Sequence, residues 1–564
     1  MLDLLIRGGT VIDGTGASMR PADVGVREGR IAAVAPPGTI DEASRSTLDA
    51  DGRYVTPGFV DLHTHYDAQL FWDPLATPSP FHGVTTVIGG NCGFSLAPLA
   101  AEHADYLMRM MARVEGMPLE ALSAGLAWDW AGFGDWLGRL DGATAVNAGF
   151  LCGHSALRRV GGADGEAMRA LLHEALDAGA LGFSTSRAHT HNDAEGEPVP
   201  SRLADDDELL ALAACVAGHE GTTLEAIVPG CINGFTDEEV DLLAALSLAG
   251  RRPVNWNVLG VSSLNPEGHE RQLAASDAAA ARGARVVALT LPHPTSLRLS
   301  FLTGFVLDGL PGWGEVLHLP VPARLTALSD PAVRERLAAG ATSPDAGLLA
   351  GLANWRVLTF AECFTPETRR YEGRRVGAVA GELGREPFDA LLDVVVADGL
   401  RTGLRPPVFG DSDADWELRA QVWRDPRVVI GGSDAGAHLD MMCGAVYSTS
   451  LLGEAVRRRR LLSWEEAVHQ LTDVPARLYG LRERGRVAEG WRADLAVLDP
   501  STVGHGPERT ATDLPGGAWR LVADAVGVEH VYVNGTAIVR DGGATGNVPG
   551  TLLRSGRDTA TVLP

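Results

Sequence analysis

Two histidines one residue apart, His63 and His65, end an apolar run in the stretch PGFVDLHTHYDAQ. In an extended strand, residues i and i+2 point to the same side, so both imidazoles can reach one cation. A distant aspartate, Asp434, stands in GGSDAGAH, where small residues let the backbone approach a ligand closely. The pattern predicts a metal site. The alternatives are two histidines held by core hydrogen bonds and an aspartate that caps a helix.

The elements that position these residues are apolar runs, rich in Val, Ile and Leu, that alternate with Ala-, Leu- and Glu-rich stretches of helical spacing. Helical stretches lie, for example, at 165–178, 204–219 and 236–249. Such βα units predict an α/β fold with a parallel sheet, here a (β/α)8 TIM barrel. We predict its eight strands at 58–65, 84–93, 145–155, 179–186, 222–229, 253–260, 284–293 and 427–434.

The C-terminal ends of parallel barrel strands converge on one cavity, so polar residues at these ends are candidates for a shared site. Cys92 lies at the end of the second predicted strand, and it could be either a metal ligand or a small buried apolar residue. The same rule selects His154, Arg158, Arg187, Glu225 and Asn257.

Both chain ends alternate apolar and polar residues between glycine turns, as half-buried strands do. We predict that residues 1–57 and 482–545 form one small β-sandwich domain, that residues 58–481 form the barrel, and that residues 546–564 are a C-terminal tail. Two long connections, 94–144 and 294–426, are expected to cover the C-terminal face of the barrel.

Charge and cysteine usage exclude several classes of function. With 48 basic and 72 acidic residues the net charge is -24, which repels phosphate backbones and anionic lipids, so we expect no nucleic acid or membrane partner. Six cysteines without paired spacing predict free thiols. The first residues lack the pattern of a secretory signal, and we expect a cytoplasmic protein. A homo-oligomer is compatible with the sequence.

In their order along the chain, these motifs resemble the amidohydrolase superfamily and, within it, the N-acyl-D-amino-acid deacylase (D-aminoacylase) branch. The resemblance rests on GFVDLHTHYD, GVTTVIGGNCG, GHSALR, AGALGFSTS and GGSDAGAH, with LLIRGGTVIDGTG and VYVNGTAIVRDG near the two ends. It implies a zinc-dependent (β/α)8 hydrolase with the H-x-H pair and the last-strand aspartate at the metal. It also implies a cysteine ligand after the second strand, where Cys92 stands.

The chain departs from this family in two ways. Many relatives bridge two metals with a carboxylated lysine, and this chain has no lysine. D-aminoacylases carry a histidine on each of strands five and six, where this chain has Glu225 and Asn257. Either Glu225 and Cys92 bind a second cation, or one cation is held by the H-x-H pair and Asp434 with water. We favour one Zn²⁺, with Mn²⁺ and Fe²⁺ as alternatives.

The resemblance implies hydrolysis of a small-molecule amide by metal-activated water, with Asp434 as the base and then the acid. An amino-acid leaving group carries a carboxylate that arginine suits, so Arg158 and Arg187 are candidates; a structural ion pair is the alternative for each. His154 and Asn257 complete the predicted substrate-binding set. Two other functions stay open: hydrolysis of a different amide, such as a cyclic amide, a carbamate or a biosynthetic intermediate, and a metal-free, non-catalytic barrel.

Overall fold

The structure is a computed structural model that describes residues 1–294, 296–304 and 306–564. Eight parallel strands lie within the eight predicted segments, each shorter than predicted, and we number them one to eight in chain order. They span Phe59–Asp61, Val84–Gly89, Asn147–Phe150 with Cys152–Gly153, Gly182–Ser186, Thr223–Ile227, Val254–Trp256, Val286–Thr290 and Val428–Ile430. The predicted α/β architecture with parallel strands is confirmed.

These strands form two sheets that share the third strand. That strand is interrupted at Leu151, so its first part pairs in a three-stranded sheet with strands one and two. Its second part pairs in a six-stranded sheet whose order continues through strands four, five, six, seven and eight. Neighbours in space are therefore neighbours in sequence, as in repeated βα units.

Strands one and eight meet just beyond their C-terminal ends. His65 N donates to Ala435 O at 2.8 Å, and Asp434 N donates to His63 O at 3.1 Å. Gly436 has φ +94°, and a Cβ on it would lie 2.6 Å from the carbonyl carbon of His65. The approach thus requires glycine at this position. It joins the two segments that carry the predicted metal ligands.

α-Helices separate most of the strands, and their N-terminal ends are capped by side chains. Asp164 accepts from the backbone N–H groups of Glu166 and Ala167, and Thr236 forms a capping box with Glu239. Outside the second insertion the helices are Ala104–Val114, Leu119–Gly125, Phe133–Leu140, His154–Gly161, Gly165–Asp177, Asp206–Ala217, Gly230–Asn233, Asp237–Gly250, Gly268–Ala280, Tyr447–Ser450, Trp464–Leu471 and Asp473–Leu478, with a π-helix at Leu451–Arg458.

The insertion between strands seven and eight packs around a hydrophobic core of its own, which includes Phe301, Trp313, Leu391 and Leu404. A three-stranded antiparallel sheet of Leu299–Ser300, Thr359–Glu362 and Gly403–Arg405 crosses it. Its helices are Gly314–Leu317, Val321–Ser329, Pro331–Ala341, Val376–Leu383, Pro387–Ala397 and Asp413–Val422. Positions 295 and 305 of this predicted insertion lie outside the described residues.

Strands from both chain ends form one nine-stranded sheet. The junction is the antiparallel pairing of Tyr54–Pro57 with Leu495–Leu498. The other members are Leu2–Val11, Arg20–Arg27, Arg30–Ala35, Ser44–Asp49, Val528–Val533, Thr536–Arg540 and Gly543–Ala544. Gly504–Ala511 and Arg520–Val526 pair separately with each other. The two ends thus share a sheet, while the sandwich form and the domain boundaries stay predictions.

The predicted C-terminal tail packs against the third strand. Ala148 N donates to Thr551 O at 3.0 Å, and Leu553 N donates to Ala148 O at 2.7 Å. Leu552 and Leu553 are fully buried. The last residues therefore extend the hydrogen bonding of the parallel sheet where the third strand has no continuous neighbour.

The free thiols that the cysteine spacing predicted have a structural counterpart. All six cysteines are unpaired and buried. Among the described helices, none combines the length with the apolar character that crossing a bilayer requires.

Candidate metal centre

Four side chains from three strand ends lie close to the histidine pair or belong to it. Cys92 Sγ lies 3.2 Å from His63 Nε2 and 3.9 Å from His65 Nε2. Asp434 Oδ1 lies 3.2 Å from His63 Nε2 and 3.7 Å from His65 Nε2. A tetrahedral cation with bonds of about 2.0–2.3 Å holds its ligand atoms roughly 3.3–3.8 Å apart. The ligand atoms of His63, His65 and Cys92 lie within 4.8 Å of one another, which suits one shared ion, and Asp434 Oδ1 lies beside both histidines.

The histidines lie just beyond the first strand, which ends at Asp61 rather than at residue 65. The chain stays extended there because Thr64 pairs in parallel with Ala435 and its N–H donates to Ile88 O at 2.9 Å. The i, i+2 relation between the two imidazoles therefore holds even though the strand is shorter than predicted.

The other two side chains, those of Cys92 and Asp434, lie in turns with a strained backbone. Cys92 has φ +57° and Asp434 has φ +54°, a left-handed conformation that costs a non-glycine residue on the order of 1 kcal/mol or more. Asn91 ties the first turn to its neighbours, since its Nδ2 donates to Ile88 O at 2.9 Å and to Thr64 O at 3.2 Å. Such strain persists where the surrounding structure holds it, and it clusters at ligand sites.

Glu225 and Asn257 stand where the resemblance places histidines. Glu225 Oε2 accepts from Cys92 N at 2.9 Å, so this carboxyl group braces the turn that carries Cys92. Burial raises the pKa of Glu225 to about 8. Among the described residues, Glu225 Oε1 and Asn257 Oδ1 are buried without a hydrogen-bond partner. Within that same part of the chain, the metal-ligand atoms that lie within 4.8 Å of one another belong to Cys92 and the histidine pair; Asp434, Glu115 and Glu225 are not in this group.

Acidic groups make this region favourable for positive charge. Burial lowers the pKa of His65, but the charges of Glu115 and Asp434 outweigh it and raise that pKa to about 9. Burial likewise raises the pKa of Asp434, but hydrogen bonds with His63 and His65 outweigh it and lower that pKa below its usual value. Burial raises the pKa of the Cys92 thiol. A bound cation would stabilise the carboxylate and a Cys92 thiolate together.

Glu115 is the member of this site that sequence reasoning missed. It follows the helix Ala104–Val114 in the first insertion, its side chain is buried, and its Oε2 lies 3.5 Å from His65 Nε2. No pattern marks it, because it is one acidic residue after an amphipathic helix and far in sequence from any predicted strand end. Only the fold of the insertion brings it to the histidines.

Two of the predicted substrate-binding residues, His154 and Arg158, contact the same carboxylate, that of Glu208. His154 Nδ1 contacts Thr185 Oγ1 at 2.9 Å, and His154 Nε2 contacts Glu208 Oε1 at 2.9 Å. Arg158 pairs with the other oxygen of Glu208. Neither residue lines the cavity beside Asp434. The charge of Arg158 is thus neutralised within the protein.

Arg187 is also paired within the protein, and the carboxylate-binding role of the two arginines stays a prediction. Its Nη1 donates to Asp206 Oδ1 at 2.6 Å and its Nη2 donates to Ala204 O at 2.7 Å. It lines a separate cavity of about 670 Å³ with His189 and Arg202. Both arginines form ion pairs within the protein, which was the alternative to binding a substrate carboxylate.

A cavity of about 450 Å³ opens beside Asp434. This volume is within the range of small-molecule sites. Its apolar lining includes Val258, Leu291, Trp416, Met442 and Val446. Its charged lining includes Glu454, Arg458 and Glu508, of which Arg458 pairs with Glu454. The candidate metal centre thus borders a largely apolar cavity with ion-paired charges.

Comparisons with known proteins identify the family of the chain. Residues 46–355 and 358–539 match the amidohydrolase family. The D-aminoacylase of Alcaligenes xylosoxydans xylosoxydans is 30% identical over 98% of this chain and 97% of its own.

Two solved structures are similar over 98% of this chain and 100% of their own. One is a D-aminoacylase with a binuclear metal center, described by one-metal activation and second-metal attenuation, at 28% identity and a TM-score of 0.65. The other is the N-acyl-D-glutamate deacylase from Bordetella bronchiseptica, complexed with zinc and a phosphonate inhibitor, at 26% identity and a TM-score of 0.64. With these matches over nearly its whole length, the chain belongs to the amidohydrolase family and is a hydrolase of carbon–nitrogen bonds other than peptide bonds.

Proposed function

We propose that this protein is a metal-dependent deacylase that removes the acyl group from an N-acyl-D-amino acid. The observation that carries the proposal is the group of His63, His65 and Cys92 at the spacing of ligands around one ion, with Asp434 beside both histidines. The substrate class is supported by the deacylase activities of the relatives that span the whole chain.

One Zn²⁺ is the cation that this donor set fits best. Two imidazoles, a thiol and a carboxylate are ligands of types that zinc binds in four-coordinate sites. Mn²⁺ and Fe²⁺ are the alternatives, and the sulfur atom of Cys92 favours zinc over the harder Mn²⁺. A second cation has weaker support, because the chain has no lysine to bridge two ions and Glu225 contacts the Cys92 backbone instead.

The bound cation would polarise the scissile carbonyl group and lower the pKa of water. Asp434 is the residue that we assign to proton transfer, because it borders both the histidine pair and the cavity. With Oδ1 held against the histidines, Oδ2 is left to accept a proton from the attacking water and return it to the leaving nitrogen. Glu225 acts on this step indirectly by holding the Cys92 turn.

The cavity beside Asp434 supports a substrate with an apolar group. Val258, Leu291 and Met442 offer an apolar surface to an acyl chain or an amino-acid side chain. Of the predicted substrate-binding residues, Asn257 is the one close to the strand-eight segment, since a Cβ on Gly432 would lie 2.6 Å from its Oδ1. We keep Asn257 as a proposed substrate contact.

The proposed reaction needs a fold that brings strand ends together, and we propose a closed (β/α)8 barrel. The strand order from one to eight and the Thr64–Ala435 pairing support closure. We also propose that residues 1–57 and 482–545 form the small β-domain and that residues 58–481 form the barrel domain. The shared nine-stranded sheet and its core, which includes Ile6, Val24 and Leu495, support this division.

The decisive experiment combines metal content with turnover. Protein purified without chelator is expected to contain about one zinc per chain and to release acetate from N-acetyl-D-amino acids but not from their L-enantiomers. Chelation is expected to abolish release and added Zn²⁺ to restore it, whereas His63→Ala is expected to remain inactive after Zn²⁺ addition.

Two other outcomes identify the competing functions. Stoichiometric zinc without turnover of a broad N-acyl-D-amino-acid panel would reject deacylation, and cyclic amides and carbamates would then be assayed. Absence of a bound transition metal, together with ligand binding that His63→Ala does not change, would indicate a non-catalytic barrel.

A further inference from the structure

We infer that Glu115, supplied by the first insertion, is an additional ligand of the cation, and that cation binding fixes this insertion on the site. The inference rests on the proposed function for the existence of the cation. It goes further by assigning a ligand that lies on no barrel strand.

The position of the Glu115 carboxylate is the first support. Its Oε2 lies 3.5 Å from His65 Nε2, a separation like those of Cys92 and Asp434 from the same histidine. When His65 binds a cation through Nε2, that nitrogen carries no hydrogen to donate. The Glu115 carboxylate therefore lies beside the atom through which His65 would bind the cation.

Burial is the second support. The Glu115 side chain is only 3% exposed, and a buried carboxylate costs several kcal/mol unless an opposite charge or hydrogen bonds compensate it. Its ion-pair partner among the described residues is His65, which is neutral when it acts as a metal ligand. The cation would then be the positive charge that compensates Glu115.

The backbone around Glu115 is the third support. Glu115 N donates to Met111 O at 3.0 Å, which continues the preceding helix, and Glu115 O accepts from His438 N at 2.5 Å. A Cβ on Gly116, which has φ +58°, would lie 3.1 Å from His438 Cα. The insertion therefore meets the chain four residues after Asp434, and the preceding helix presents Glu115 from a rigid element.

The test compares Glu115→Gln with wild type in the full-length protein after removal of metal. Zn²⁺ affinity is measured by competition with a chelating dye, and hydrogen exchange of residues 104–118 is followed with and without Zn²⁺. We expect Glu115→Gln to bind Zn²⁺ on the order of tenfold or more weakly than wild type. We also expect Zn²⁺ to slow exchange of this segment in wild type and to do so much less in the variant.

Glu120→Gln is the matched control, because Glu120 is an exposed acidic residue of the same insertion. It is expected to keep wild-type Zn²⁺ affinity and wild-type protection. Should Glu115→Gln fail to fold by circular dichroism, Glu115→Asp keeps the charge on a shorter side chain, and its affinity is expected to fall below that of wild type.

Wild-type Zn²⁺ affinity, within twofold, in the folded Glu115 variant would overturn the inference and leave the proposed function intact. Failure of wild type itself to bind Zn²⁺ or another transition metal would overturn both. The two failures are thus distinguishable from the wild-type titration alone.

Discussion

At the scale of single residues, the site contains two kinds of side chain. Some contact the other candidate ligands directly, and others hold the backbone that carries those ligands. Asp434 touches both histidines and borders the cavity, whereas Glu225 contacts only the backbone of Cys92 among the site residues. This difference in contact predicts a difference in chemistry. Loss of the Asp434 carboxylate removes a proton acceptor, while loss of the Glu225 carboxylate loosens a turn.

Asp434→Asn is expected to keep zinc content near that of wild type while deacylation falls by a factor on the order of 10² or more. The amide oxygen can still face the cation, but it cannot take up a proton at neutral pH. Metal analysis and turnover on the same preparation check this outcome.

Asp524→Asn serves as the control, because Asp524 is exposed and pairs only with Arg509 in the ion pairs of the described chain. Its activity is expected to equal that of wild type. Full activity in Asp434→Asn would show that another group carries the proton.

At the scale of elements, the close approach of the strand-eight turn to strand one assembles the site. Asp434 and His63 are linked by a backbone hydrogen bond, and Gly436 lies against the His65 carbonyl group. Any side chain at position 436 pushes the two segments apart. The geometry of the candidate metal centre therefore depends on a glycine that is not itself a candidate ligand.

Gly436→Ala is expected to weaken Zn²⁺ binding and to lower the free energy of unfolding by more than the roughly 1–2 kcal/mol that a positive φ alone costs alanine. Denaturant unfolding and Zn²⁺ titration measure the two effects.

Gly373→Ala is the control that separates the cost of a positive φ from the cost of a steric contact. Gly373 has φ +76°, but a Cβ on it would meet no atom within 4 Å. It is expected to show the strain cost without the loss of Zn²⁺ affinity. Equal effects of the two substitutions would contradict a role for the Gly436 contact.

At the scale of the whole molecule, both chain ends pair with segments that are distant from them in the sequence. The N-terminal strands share a sheet with Leu495–Leu498, and the last residues return to the third parallel strand at Ala148. Ala560 N also donates to Gly480 O at 2.7 Å, which ties the end of the chain to the segment after the helix Asp473–Leu478. Residues 546–564 are thus part of the packed structure.

Leu553→Ala is expected to lower the free energy of unfolding by about 2–5 kcal/mol, because it removes a fully buried side chain and leaves a cavity. Leu563→Ala is the matched control: Leu563 is 61% exposed, so its loss is expected to change stability by less than about 0.5 kcal/mol. Thermal or denaturant unfolding measures both. Equal stability of the two variants would contradict a structural role for this segment.

The amino-acid sequence alone was sufficient to locate the parallel strands, their order and the residues at their ends. Apolar periodicity and glycine turns are local properties, so strands one to eight were located, although their lengths were overestimated. The H-x-H spacing and the small residues around Asp434 likewise predicted that these side chains lie together, while the cation itself stays a prediction.

Which distant groups meet became clear only from the folded chain. The fold pairs Arg158 with Glu208 and Arg187 with Asp206, it places Glu115 beside His65, and it packs the last residues against Ala148. These contacts join residues far apart in sequence or on long insertions, where no periodicity relates the partners. Local patterns set the elements, whereas burial and charge pairing across the assembled fold set the surroundings of the site.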